Sequence, residues 1–162
     1  WVLTSERLAL AVAEGLLRVE TTRQNAQNAA ANQAKKVTIP DINRFYEWLQ
    51  LPKTPKITDL AAFRSAFSVE DQASKSYAGQ FTSMLNVPPN DPLQVCRAIQ
   101  RVLQSAFEAA FDATDDLMQA SAANNHPFPC RVDVLMMRMI TPHVAGVAFS
   151  EQAYQDDWIN YV

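Results

Sequence analysis

The chain predicts an α+β fold in which helices pack on a small antiparallel sheet that ends in a C-terminal hairpin, and three observations carry that expectation. Apolar residues recur at helical spacing through Val95, Ile99, Val102, Leu103, Ala106 and Ala110. The period then changes, as Val132, Val134 and Met136 alternate with Asp133, Leu135 and Met137 in the pattern of a strand with one better-buried face. Between the two lies "SAANNHPFP", whose prolines and turn formers end the helix. The 162 residues are enough for one sizeable core, and no fixed-period repeat argues for a solenoid or propeller.

From the start of the chain, Leu8, Val12, Leu16 and Val19 mark one face of a helix over residues 5 to 19. Its continuation, "TTRQNAQNAAANQAKK", has helix-forming Ala but little large apolar surface, so it reads as a solvated helix extension or a mobile linker. Pro40 and Asp41 open a short helix whose Ile42, Phe45, Tyr46 and Leu49 share a face, and Pro52 ends it. The two prolines of "LPKTPK" make a connector, dividing an N-terminal helical segment, 1–52, from residues 53–162. Asp91 and Pro92 form an N-cap and first-turn pair for a helix running to about Leu117. Thr141 and Pro142 then turn the chain into "VAGVAFS", so that the expected hairpin spans 132 to 150.

A net charge of -3 leaves no basic footprint for nucleic acid or a membrane surface. Cys96 and Cys130 lie far apart among apolar residues and read as reduced core thiols of a cytoplasmic protein. The apolar run "LALAVAEGLL" contains Glu14 and is too short to span a bilayer, and no signal peptide is visible. An opening Trp1 in place of Met predicts that these residues are the interior of a longer polypeptide.

Glycine is sparse, only Gly15, Gly79 and Gly146, so each is expected where positive φ or close approach requires it. In "SYAGQF", Gly79 beside small Ala78 would let main-chain N–H groups approach a phosphate, and Arg64 offers the guanidinium fork that suits phosphate oxygens. The residues alone leave a plainer alternative open: a surface ion-pair arginine and an ordinary turn glycine. By itself "MMRMI" is core filler, since Met adapts to irregular gaps. Adjacent Glu70 and Asp71 read as solvated loop carboxylates and not as magnesium ligands, and His126 and His143, each beside a proline, read as surface residues.

Residues 63 to 87, "FRSAFSVEDQASKSYAGQFTSMLNV", resemble without a gap a segment of the pyruvate phosphate dikinase and phosphoenolpyruvate synthase family. Arg64, Ser65, Glu70, Asp71, Ser76, Ala78, Gly79, Gln80, Leu85, Asn86 and Val87 fall on matching positions. Residues 134 to 150, "VLMMRMITPHVAGVAFS", are similar to a second motif of the same family. The resemblance implies part of an ATP-grasp-like nucleotide-binding domain that transfers a phosphoryl group from ATP to a carrier histidine on a swivelling domain. It implies Arg64 as a catalytic residue, with Ser65, Ser76, Gly79 and Gln80 binding the nucleotide around its phosphates and Met139 and Ile140 on the adenine side. ATP and Mg2+ are the implied cofactors, and the implied partner is a phosphohistidine carrier domain of the same or another chain.

The sequence also departs from the family pattern. No glycine-rich loop with a phosphate-binding lysine precedes Arg64, Ala109 and Ala110 stand where a helix arginine is expected, and Met137 replaces the usual Gln. The chain ends at Val162, before the family's downstream cluster for magnesium and triphosphate. Two expectations follow: either an enzyme portion that does not complete the reaction alone and self-associates through exposed apolar surface, or a non-catalytic degenerate relative acting as a binding or assembly module.

Overall fold

The computed structural model describes residues 1–22, 34–52, 60–70, 79–108, 127–140, 142–144 and 146. In chain order its elements are β1 (Val2–Leu3), α1 (Ser5–Ala13), β2 (Arg18–Thr22), β3 (Ala34–Thr38), α2 (Ile42–Leu49), β4 (Ala61–Phe67), β5 (Met84–Val87), α3 (Pro92–Glu108) and β6 (Val132–Arg138). Strands β1, β6, β4 and β5 form one antiparallel sheet in that order, and β2 pairs with β3 in a second. The fold is α+β, with the described helices packed against a small antiparallel sheet.

Helix α1 starts where Thr4, in extended conformation, accepts the Arg7 N–H at its side chain. It is shorter than expected. The chain leaves the helix at Gly15, whose φ of +70° is left-handed. There Leu16 N–H returns to Ala11 O (2.9 Å) and Gly15 N–H to Val12 O (3.1 Å), bonds that close the last turn. Val19, expected on the helix face, lies instead in β2 opposite Val37. The helix extension or linker expected next is corrected at both ends: Thr21 and Thr22 continue β2, while Ala34, Lys35 and Lys36 begin β3. Residues 23–33 lie outside the described ones.

Two causes favour strands here. Val19, Val37 and Thr38 are β-branched and sit well on a pleated surface. In addition, the open edge of β3 is occupied by two glutamines of α3. The Gln104 amide donates to Lys35 O (3.0 Å) and accepts from Val37 N–H (2.9 Å), while Gln100 donates to Val37 O (2.9 Å). Four helical residues rise about 6 Å and nearly match a two-residue strand repeat of about 6.8 Å, so side chains satisfy the backbone groups that another strand would otherwise pair.

Asp41 caps α2 through its carboxylate and the Arg44 N–H (3.0 Å), and left-handed Gln50 (φ 50°) closes it. Arg7 ties α1 to that closing end, lying 4.7 Å over the Trp48 ring and donating to the carbonyls of Trp48 and Leu49. Helix α3 begins as expected at Asp91, whose carboxylate accepts from Gln94 N–H at 3.1 Å. Its described part ends at Glu108, and positions 109–117 of the expected helix lie outside the described residues. Val95, Ile99, Val102, Leu103 and Ala106 form its buried stripe, which packs on α2 and across β4, β5 and β6.

The first arm of the expected hairpin is β6. Positions 142–144 and 146 carry no strand, and 145 and 147–150 lie outside the described residues. Both edges of β6 are taken by distant segments, β4 along its whole length and β1 at Val134 and Leu135, with Trp1 and Met136 exchanging backbone bonds beyond them. Leu3, Leu8, Leu17 and Phe45 join Phe63, Ile99 and Val134 in one core cluster. Cys96 and Cys130 are buried within it as thiols and form no disulfide. Among the described residues, no helix is long and apolar enough to cross a membrane.

Candidate functional site

Strands β4 and β6 present two different faces. Their register sets Phe63 opposite Met136, Ser65 opposite Val134 and Phe67 opposite Val132 on the face covered by α3. The alternate positions form the other face, pairing Ala62 with Met137, Arg64 with Leu135 and Ala66 with Asp133. Val2 of β1 extends the central row beside Leu135. Arg64 is exposed in the middle of this face, and its guanidinium has no ion-pair or hydrogen-bond partner among the described residues. Flanking Ala66 is short and exposed, and Ala62 is short though buried, so the Arg64 side chain itself stays accessible to an incoming anion.

Asp133, on the same face, is engaged otherwise. Its carboxylate accepts the Ser5 N–H at 2.7 Å, capping α1, and lies 3.5 Å from Arg131. Glu70, expected as a solvated carboxylate, is instead part of a turn that closes β4: its side chain accepts the Phe67 N–H (3.0 Å) while its own N–H donates to Phe67 O (3.0 Å). Asp71 lies outside the described residues. No group of His, Cys, Asp and Glu among the described residues is arranged to hold a metal ion.

Gly79 and Gln80 are exposed, near the Phe67 end of β4. The φ of Gly79 is +78°, as expected for a glycine used so sparingly, and a Cβ added there meets nothing within 4 Å. Its backbone conformation, not crowding, requires glycine. The residues that follow are anchored twice. The Phe81 ring packs edge-on against Phe67 with centroids 4.7 Å apart, and Thr82 N–H donates to Ser105 Oγ at 3.2 Å. Ser105 was assigned no role by its sequence context, although a hydroxyl on the buried stripe of α3 is itself a signal that a polar group must be met there.

Met139 and Ile140 lie at the other end of β4. Met139 is half-buried and donates its N–H to Leu60 O at 2.8 Å, so a base edge meeting this segment would be read by other groups; Ile140 is 80% exposed. Six strand steps separate Ala61 from Phe67, about 20 Å, which sets the two ends of the expected nucleotide site well apart. Ser65 is half-buried on the face opposite Arg64. The structure therefore gathers Gly79 and Gln80, places Met139 and Ile140 together, and puts Arg64 between them on the exposed face. Ser76 and His126 lie outside the described residues, and His143 is exposed.

The core thiol is not a candidate nucleophile. Burial pushes Cys96 up to about 11, so it is protonated at neutral pH, with its sulfur 3.6 Å from Ile42 O. Burial likewise raises the Tyr46 phenol, whose hydroxyl donates to Pro89 O at 2.8 Å.

Comparison with known proteins bears on this geometry through one finding. The family described as the pyruvate phosphate dikinase AMP/ATP-binding domain matches residues 16–159, a span that includes β4, the Gly79 turn, α3 and β6 and crosses the 52/53 border. Searches of curated proteins and of solved structures found no match. With most of its length inside that match, the chain belongs to the pyruvate phosphate dikinase AMP/ATP-binding domain family.

Proposed function

We propose that this chain is the ATP-binding portion of a dikinase-type phosphotransferase, with its nucleotide-contacting residues in 53–162, that passes a phosphoryl group from ATP to a carrier histidine on another domain. The observation that carries the reading is Arg64: an exposed guanidinium without a partner among the described residues, centred on one sheet face within the family match. Phosphoryl transfer depends on positioning and charge neutralisation, and a free arginine fork supplies both for a phosphate oxygen pair. Gly79 and Gln80 lie beside the phosphates in this reading, Ser76 contributes a hydroxyl, Ser65 supports the strand from the covered face behind Arg64, and Met139 and Ile140 flank the adenine. ATP supplies the transferable phosphoryl group, and Mg2+ enters with the triphosphate, neutralising its charge. The carrier histidine belongs to a partner domain in the same or another chain, and the setting is cytoplasmic.

Exposed Val2, Met137, Ile140 and Val144 give self-association a physical basis, to be checked by sedimentation over a concentration series. A second reading, a degenerate relative acting as a binding or assembly module, is favoured by Ala109 and Ala110 at the expected helix-arginine position. Calorimetry with magnesium-ATP and with adenosine separates the two. The ATP-binding reading expects the triphosphate to bind and Arg64→Ala to weaken it by roughly tenfold or more while adenosine binding is retained. A parent chain that binds no nucleotide, or a well-folded Arg64→Ala variant with parental ATP affinity, would favour the module.

A further inference from the structure

We propose that Ser105 of α3 is a positioning residue that holds the Gly79 turn in place for the nucleotide; this deepens, and rests on, the ATP-binding reading. Ser105 is 2% exposed, one of the few buried polar side chains among the described residues. Its hydroxyl proton goes to Val102 O at 2.6 Å, within its own helix, which turns an oxygen lone pair toward Thr82 N–H at 3.2 Å. The fixed side of this bond is α3, with Val102, Leu103 and Ala106 all buried around Ser105. The held side is the segment that leaves Gly79, three residues away and in left-handed conformation.

Thr82 lies just before β5, where sheet pairing begins only at Met84 opposite Phe63. Between Gly79 and Met84 the Phe81–Phe67 ring contact and the Ser105 bond both hold the turn. The ring contact fixes how far the segment stands from the sheet. The directional bond to Ser105 fixes its rotation, and with it the direction of the backbone N–H groups near Gly79. A turn whose N–H groups already face the ligand binds an anion without first being ordered.

Ser105→Ala tests this in the intact chain, because Ala suits the helix interior and leaves no new buried polar atom on α3. Ser105→Thr restores the hydroxyl and serves as the rescue. The measurements are amide hydrogen exchange at Thr82, with Phe63 and Val134 as core references, and calorimetric affinity for magnesium-ATP and adenosine. The expected result is roughly five- to tenfold faster exchange at Thr82 with the core amides unchanged, corresponding to the loss of one ordinary hydrogen bond. ATP affinity should fall by a similar factor, adenosine affinity should hold, and the Thr variant should recover both. Unchanged Thr82 exchange, or equal acceleration at Thr82, Phe63 and Val134, overturns the proposal. Release of Thr82 with ATP affinity intact overturns it while leaving the ATP-binding reading standing. A parent chain that binds no ATP removes that reading and the proposed role together, even if Thr82 exchange still responds.

Discussion

Two faces of the same pair of strands differ in what they do. Toward α3, β4 and β6 present Phe63, Phe67, Val132, Val134 and Met136, all in the core cluster. Away from it they present Ala62, Arg64, Ala66, Asp133, Leu135 and Met137. A sheet face turned to solvent ordinarily carries polar side chains. This one has short or apolar side chains around Arg64, which has no partner among the described residues, with Asp133 occupied in capping α1. The difference separates residues that the fold needs from residues that it leaves exposed.

Truncation should expose that separation most strongly at the covered face. Phe63 is fully buried, so Phe63→Ala should cost about 3–5 kcal/mol, measured by urea unfolding. Arg64→Ala, one residue along, should change stability by less than about 0.5 kcal/mol yet weaken ATP binding by about 1.5–3 kcal/mol. Similar losses of stability at both positions would break the comparison.

The two faces were unequally legible in the sequence. Val132, Val134 and Met136 announced the covered face of β6 because burial on one side forces period two. Asp91 and Asp41 announced the starts of α3 and α2 because capping chemistry is local. By contrast, β2 and β3 read as helix or linker: a window rich in Asn, Gln and Ala hides a ladder whose open edge is satisfied by Gln100 and Gln104, more than sixty residues away. Gly15 stops α1 with its left-handed φ, but the helical spacing of Leu16 and Val19 masks that stop and puts Val19 on a helix face instead of β2. As candidates, Arg64 and Gly79 stand out in the sequence through residue chemistry and family resemblance. Ser105 was not, since its partner Thr82 is brought to it only by the packing of α3 on β4 and β5.

A smaller effect is expected where conformation alone distinguishes two glycines. With φ at +78°, Gly79→Ala should lose about 1–2 kcal/mol from the left-handed backbone despite open space for its Cβ. Gly146 also has open space but no positive φ of that kind, so Gly146→Ala should be nearly silent. Thermal unfolding of the two variants side by side checks this. Equal shifts in Tm would mean that the Gly79 turn relaxes out of its left-handed conformation, and the exposed side of the comparison would lose its fixed element.

The smallest expected effect lies at the start of α3 and depends on pH. The Asp91 carboxyl is held below its ordinary value, first by the backbone N–H of Gln94 and then by the Gln94 side-chain amide, both of which donate to the ionised form. Because the folded carboxyl binds its proton less readily than the unfolded one, its contribution to stability is present in full above the unfolded value of about 4. As pH falls through that value and then through the lower folded one, both states become protonated and the contribution disappears. Asn at this position retains an N-cap acceptor but does not titrate, so Asp91→Asn should remain folded and lose less stability than the parent on acidification from about pH 5 to about pH 2.5. Urea unfolding across that range measures the difference. Superimposable pH profiles would show that the Gln94 bonds do not discriminate between the two protonation states. Acidification would then act on α3 through other carboxylates, and the covered face would owe less to its helix cap than the geometry indicates.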